Sequence, residues 1–385
     1  MNRRAPISFF VTMLAAVLAT SSLAAQRPTA LKLGAPAGTL AEEFTVITSV
    51  RELADGRALL TDGREQRIVV GDFRTGRATP VGRKGSGPGE YQAVGFVQSI
   101  AGDSSIMGDF MQRRFHLFDG DRIVGQTSPD HPAVLAVQGL FTGADARGHI
   151  WMKRGAKRGP GVTITDNRDS SYVILVRRTN GAQDTIAKLL NRPTRIEQKF
   201  NDKGDVTFSS TMPVGVLGSD EQAVLFTDGT LGVARLNPFR VDWRSPTGAW
   251  TRGAPLPVPP IRVDARERAA FMERNAAAYK PSANPNPIPG MPAVTPPTAR
   301  DFPDVFPPFP SAAVTAGPAG TLLVRRSKSA DYLGTHYFVI DRRGVLLGEL
   351  SLPANETIVG ASARHVYVSF KDEDDLQRVR RHVWP

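Results

Sequence analysis

Gly56-Arg-Ala-Leu-Leu-Thr-Asp62 is a small turn-prone residue followed by strand formers, and its return along the chain decides the fold. The same pattern reads Asp103 to Asp109 (DSSIMGD), Gly148 to Arg154 (GHIWMKR), Gln222 to Asp228 (QAVLFTD), Gly320 to Arg326 (GTLLVRR) and Arg364 to Phe370 (RHVYVSF). Each copy is short, rich in Val, Ile, Leu, Phe and Tyr, and bounded by Gly, Asp or Asn. That is the composition of a strand with its turn, not of an amphipathic helix. A second strand-like run follows most copies and ends in a polar turn: Arg67 to Asp72, Phe115 to Phe118, Tyr172 to Val176, Arg240 to Trp243 and Tyr337 to Ile340.

Counted from the last residue of each copy, the steps are about 47, 45, 74, 98 and 44 residues. The undisturbed steps match the roughly 40 to 50 residues of a four-stranded propeller blade. Six copies predict an all-β chain folded as a six-bladed β-propeller. In the sixth unit the second run, Leu376 to Trp384, reaches the end of the chain with no further strand. A blade that stops after its third strand leaves an unpaired edge. Residues near 29 to 37, around Leu31-Lys-Leu-Gly, are therefore expected to supply the outer strand and clasp the ring.

Two longer passages interrupt the repeat. Asn191 to Met212 is polar and extends one blade by about 25 residues. The larger insertion, residues 262–310, begins with Asp264 to Tyr279 (DARERAAFMERNAAAY), which predicts a helix capped by Asp264. It continues as Pro281 to Pro310, where frequent proline predicts extended chain. Tyr279, Phe302, Phe306 and Phe309 are placed either to anchor this excursion against the ring or to present a binding surface.

The first 25 residues follow another logic. Arg3 and Arg4 precede an apolar stretch from Ile7 to Leu18 and then Thr20-Ser-Ser-Leu-Ala-Ala, the order of a secretory signal. Cleavage is expected after Ala24 or Ala25, leaving a propeller domain over 26–385 in the periplasm or the medium. No later stretch approaches the about 20 apolar residues of a membrane-spanning helix. Cysteine is absent, which removes disulfides, thiolate metal sites and cysteine nucleophiles. The net charge of +11 becomes about +9 once Arg3 and Arg4 leave. The basic residues are scattered, so this balance reads first as an arginine-rich solvated surface and alternatively as attraction to anionic lipid, envelope polysaccharide or an acidic partner; nucleic acid fits an exported protein poorly. The chain is expected to act as a monomer.

The run Val81-Gly-Arg-Lys-Gly-Ser-Gly-Pro-Gly-Glu-Tyr resembles the FGRxGxGPGEF signature of bacterial exported six-bladed β-propeller proteins of the NHL-like and TolB-like broad class. Phe302-Pro-Asp-Val-Phe-Pro-Pro-Phe-Pro before Gly320-Thr-Leu-Leu-Val is similar to the proline-aromatic stretch that precedes a GxLWV strand in those proteins. Ile150-Trp151 keeps the tryptophan of that strand and Leu323 replaces it. The resemblance implies the propeller fold and export, and most such proteins have no assigned activity. Physically, Gly85, Gly87 and Gly89 around Pro88 permit positive backbone dihedrals for a sharp turn between blades. The run fits neither a P-loop nor a dinucleotide fingerprint.

Two basic groups are candidate ligand contacts. Arg83 and Lys84 would hold an anion at the glycine-rich run, unless Glu90 pairs with one of them. Lys153, Arg154, Lys157 and Arg158 form the densest cationic patch, expected on a glycine-containing loop. No catalytic residue and no cofactor is assigned, for HExxH and GxSxG are both absent. The histidines are dispersed; His149 and His365 hold the same place in their copies and are the two that a metal in the central channel would use. The acidic run Asp372-Glu-Asp-Asp375 reads as a solvated hairpin tip. Two function classes follow. One is a non-enzymatic scaffold that binds an envelope protein, peptide or glycan; the other is a metal-dependent hydrolase or lyase with its site in the channel. The triplets ALL, SIM, IWM, VLF, LLV and VYV, taken as inner-strand positions, are apolar and favour the scaffold.

Overall fold

A computed structural model describes residues 28–127, 140–155, 170–176, 182–200, 206–279, 296–332 and 334–385. The expected signal segment lies outside these residues. Two short strands come first, β1 (Ala30–Leu31) and β2 (Pro36–Thr39). Blade one is β3 (Ile47–Glu52), β4 (Ala58–Asp62), β5 (Arg67–Asp72) and β6 (Arg77–Pro80). In the passage to blade two, β7 (Arg83–Lys84) and β8 (Glu90–Tyr91) pair with each other. Blade two is β9 (Val97–Ala101), β10 (Ser104–Asp109), β11 (Arg114–Asp119) and β12 (Arg122–Gln126). Blade three is β13 (Leu140–Ala144), β14 (Ile150–Gly155), β15 (Ser170–Val176) and β16 (Gln183–Leu190).

The polar passage after blade three is a hairpin of its own, β17 (Thr194–Phe200) with β18 (Val206–Pro213). Blade four is β19 (Gln222–Leu225), β20 (Leu231–Leu236), β21 (Phe239–Arg244) and β22 (Trp250–Thr251). The large insertion carries α1 (Ala265–Arg274), capped by Asp264, whose carboxylate accepts the Glu267 N–H at 2.9 Å. The helix stops before the expected Tyr279 because Asn275 turns its side-chain amide onto the Phe271 carbonyl; a 3₁₀ turn, Ala276–Tyr279, continues it. Blade five is β23 (Val314–Ala316), β24 (Leu322–Arg325), β25 (Thr335–Ile340) and β26 (Leu346–Leu352). Blade six is β27 (Glu356–Ala361), β28 (His365–Lys371) and β29 (Gln377–Val383).

The first strands of neighbouring blades touch in sequence, β3 to β9 to β13 to β19 to β23 to β27 and back to β3, which closes a six-bladed ring. These first strands therefore surround the centre. The repeated motif forms the second strand of a blade in five of its six copies. The fourth copy is out of register: Gln222-Ala-Val-Leu is a first strand, and the second strand of blade four is Leu231–Leu236. Five of the six apolar triplets thus sit one strand outward from the channel and say nothing about its lining; Val224 and Leu225 of the fourth copy are on a first strand.

Second strands carry an apolar stretch at their middle because both of their faces are buried there between blades. Leu59 packs toward blade two with Met107 and Phe118, while its neighbour Leu60 packs toward blade six with Tyr367. Trp151 and Met152, Leu322 and Leu323, and Val366 and Tyr367 divide in the same way. Six apolar clusters result, one at each blade interface. Truncating a residue such as Leu59 to Ala costs about 2 to 5 kcal/mol.

The clasp forms, displaced from its expected place. The missing outer strand of blade six is β2, paired antiparallel to β29 with Pro36 opposite His382 and Thr39 opposite Arg380. Leu31 belongs to blade five, where β1 runs parallel to β26. Leu31 and Leu33 are drawn there by the apolar cluster between blades five and six. A Cβ on Gly38 would lie 2.1 Å from the Phe73 carbonyl oxygen, so glycine lets β2 approach blade one.

Candidate functional site

Strands alternate in direction within a blade, so the turns between second and third strands share one face of the ring with the connections that lead to the next blade. Both insertions are such connections, and they meet. Val216, just past the β17–β18 hairpin, donates its N–H to the Asp301 carbonyl at 2.8 Å. Asp301 is fixed in turn, its carboxylate accepting the hydroxyl and the N–H of Thr298, each at 2.7 Å. Those bonds, the hydroxyl first, hold its carboxyl below the usual range.

The chain after Asp301 is anchored by its aromatic residues. Phe306 and Phe309 are buried, Phe309 with its ring centre 5.5 Å from Phe239 of blade four. Phe302 stands edge-on to Phe271 of α1 at 5.3 Å. The helix is itself pinned, because buried Glu267 accepts the Ala330 N–H at 2.8 Å and Arg266 pairs with Asp331 at 2.7 Å. On the other side, the Gln222 side chain donates to the Pro310 carbonyl at 2.8 Å and accepts the Ala313 N–H at 2.7 Å.

Between these two walls lies a cleft of about 810 Å³. Its apolar lining includes Val214, Leu217, Leu236, Val258, Ile261 and Val305. Val214 and Val305 are exposed. Prolines 193, 259, 260, 303, 307 and 308 form much of the rest; they offer no N–H, so an occupant is held by side-chain packing more than by backbone pairing. Three arginines rim it. Arg326 is held against Glu349 at 3.3 Å and over the Tyr332 ring at 4.1 Å. Arg192 and Arg300 make no ion pair with the described residues. Nearby Lys328 is held below the usual lysine range by burial and by the charges of Arg325 and Arg274. The cleft thus joins apolar walls to a positive rim.

The basic candidates from sequence are not in this cleft. Arg83 gives its Nε to Glu90 at 2.6 Å, and Glu90 also accepts the Gly87 N–H at 2.7 Å. These bonds, the Gly87 bond first, keep the Glu90 carboxyl below its usual range. Of the three glycines expected to take positive dihedrals only Gly89 does, with φ 73°; Gly85 instead makes room for Glu90, whose Oε2 lies 2.1 Å from the site of a Cβ. Lys84 is exposed beside it. Lys153 and Arg154 lie within β14 rather than on a loop, Lys153 opposite Leu140 and Val173. Lys157 and Arg158 lie outside the described residues.

His149 and His365 do not share a site. His149 Nδ1 is 3.0 Å from Asp145, which also takes the Trp151 indole N–H at 3.0 Å. His365 is 3.0 Å from Glu52, which accepts the Tyr367 hydroxyl at 2.6 Å. On the first strands, Glu52 is engaged by these groups and Glu356 by Arg380 at 2.8 Å. Among the described residues no three His, Asp or Glu side chains converge as a metal would need. The acidic run is a hairpin tip, with Asp372 accepting the N–H groups of Asp374 and Leu376.

Sequence reading missed Arg192, Arg300 and Arg326, which lie far apart along the chain. Their one signal was position, since Arg192 and Arg300 lie inside the two insertions and Arg326 directly follows the strand β24 of the next blade. No helix among the described residues is long and apolar enough to cross a membrane.

No known protein family matches the sequence, and no curated protein matches it. Solved structures do. A member of the DUF4221 family from Bacteroides vulgatus is 9% identical with a TM-score of 0.47, covering 90% of this chain and 94% of its own. A putative exported protein from Bacteroides fragilis is 9% identical with a TM-score of 0.43, over 93% and 100% of the two chains. Regucalcin, a calcium-binding protein from Agrobacterium tumefaciens, is 11% identical with a TM-score of 0.41, over 93% and 97%. The likeness is one of fold alone, and the fold is a six-bladed β-propeller.

Proposed function

We propose that this protein is a non-enzymatic binding scaffold of the bacterial envelope, periplasmic or secreted, that holds an extended segment of a partner protein in the cleft between its two insertions. The observation that carries this reading is the cleft itself, with apolar walls and a rim where Arg192 and Arg300 make no ion pair among the described residues. Apolar walls favour a peptide over a sugar, and the rim favours one with carboxylates beside its apolar side chains. The rigid ring fixes the cleft in advance, so little ordering is lost when the segment binds.

A photoreactive amino acid in place of Leu217 tests this in cells that export the protein. Cross-linking to one defined partner is expected, and Val305→Asp or Val214→Asp should reduce it about tenfold, the effect of roughly 1.4 kcal/mol. Both residues are exposed, so the folded ring should keep its melting temperature. Cross-linking that is indifferent to both substitutions overturns the proposal.

A further inference from the structure

A second hollow lies away from the cleft, between the outer parts of blades three and four. Near the centre this interface is apolar, built of Trp151, Val173, Leu189, Leu231 and Val233. Outward it becomes charged. Buried Asp242 takes Arg240 at 2.9 Å on one oxygen and Arg235 at 2.9 Å on the other. Arg235 also reaches Glu221 and the Lys188 carbonyl, each at 2.8 Å. The two guanidinium groups are thereby fixed in place before any ligand arrives.

Over this fixed floor is an open space of about 460 Å³, walled by Lys188, Trp250 and Arg252. That volume is within the range of small-ligand sites. Trp250 is in the outer strand β22 and is 44% exposed, and among the described residues its indole stacks on no other ring. Trp250 and Arg252 are two apart on an extended chain and so project to the same side. Lys188 and Arg252 are exposed and make no ion pair with the described residues. The hollow therefore has spare positive charge beside a flat aromatic face.

We propose that this hollow binds an acidic sugar, a uronate unit of an anionic polysaccharide. The indole offers a face for the C–H side of a pyranose ring, and Arg252 with Lys188 takes the carboxylate. Arg240 presents its remaining N–H groups to ring hydroxyls. A neutral sugar would forgo the charge, and a bare anion would forgo the stacking. The site is separate from the peptide cleft and does not depend on it.

Calorimetric titration of the folded protein with tri-galacturonate, with the neutral trimer maltotriose and with inorganic sulfate decides the matter. Saturable binding of the acidic trimer is expected, with quenching of indole fluorescence and weakening as salt is raised. Trp250→Ala and Arg252→Gln should each weaken it about tenfold, the effect of roughly 1.4 kcal/mol. Maltotriose and sulfate should each bind at least about tenfold more weakly by the same measure. Unchanged binding in both variants, equal binding of maltotriose, or sulfate binding as tightly as the trimer overturns the proposal. Cross-linking at Leu217 should be unaffected by either substitution.

Discussion

Val216 and Asp301 are 85 residues apart in sequence and are joined by one hydrogen bond of 2.8 Å, N–H to carbonyl, which closes the wall between the two insertions. Gly215 makes the approach possible: its φ is +70°, and a Cβ there would stand 2.7 Å from the Asp301 oxygen. Gly215→Val should part the two segments at a local cost of about 1 to 3 kcal/mol. Amide exchange over 296–309 should then quicken while β20 and β21 keep their protection. Unchanged exchange in that segment would show that the junction does not hold the cleft.

Ring closure makes a second expectation. Gly38→Ala sets a methyl group 2.1 Å from the Phe73 carbonyl oxygen, inside contact distance of rigid backbone. It should destabilise the fold by about 2 kcal/mol, measured by denaturant unfolding. Removing residues 28 to 39 should lower the melting temperature further and promote association, because β29 then has an open edge. A melting temperature equal to that of the intact protein would contradict the clasp.

Acid should weaken the ring through its buried carboxylates. Burial alone would raise the carboxyl of Asp242, but the bonds from Arg240 and Arg235 prevail and hold it below the usual range. Burial likewise opposes the bonds from His116 and the Gln92 N–H at Asp109, where the bonds again prevail. A depressed folded value means stability that is present above the unfolded pKa of about 3.9 and lost as pH falls below it. Asp242→Asn should cost about 3 kcal/mol at neutral pH by leaving Arg240 without a carboxylate and Arg235 with Glu221 alone. Its stability should then vary less than that of the parent between about pH 5 and pH 3.

Alkali acts through tyrosine. Burial raises the phenols of Tyr91 and Tyr337, and at Tyr367 the hydrogen bond to Glu52 adds to burial. A raised folded value gives stability that is complete below the unfolded pKa of about 10 and lost as pH rises through the folded one. Tyr367→Phe should cost about 1 to 2 kcal/mol at neutral pH, and the gap to the parent should narrow above about pH 10. A gap that is constant across that range would rule out Tyr367 as a source of the loss.

Most of the ring is legible in the chain because second strands are buried on both sides and so carry a short apolar run at their middle. Blade four shows where this local rule fails. Gln222-Ala-Val-Leu has the same composition and the same turn after it, yet it is a first strand, because Leu231-Gly-Val-Ala-Arg-Leu follows and takes the doubly buried place. Asp264 was readable too, as a cap, and of the two roles open to the insertion's aromatic residues Phe302, Phe306 and Phe309 take that of anchors. The cleft was not, since its walls come from Val216 and Asp301 and no periodicity relates them. The outer hollow left only a faint mark, an aromatic residue and a cation alternating at Trp250 and Arg252.

The two leading strands have a consequence for how this molecule is held. Since β1 lies on blade five and β2 on blade six, the chain enters the ring at its outer circumference, at the seam between two blades. Anything joined upstream of Thr29, a label or a tether to a surface, would grip the disc by its rim. Both faces, the cleft among them, would then stand clear of the attachment, so the amino-terminal side is where a probe can be fixed without covering what the ring presents.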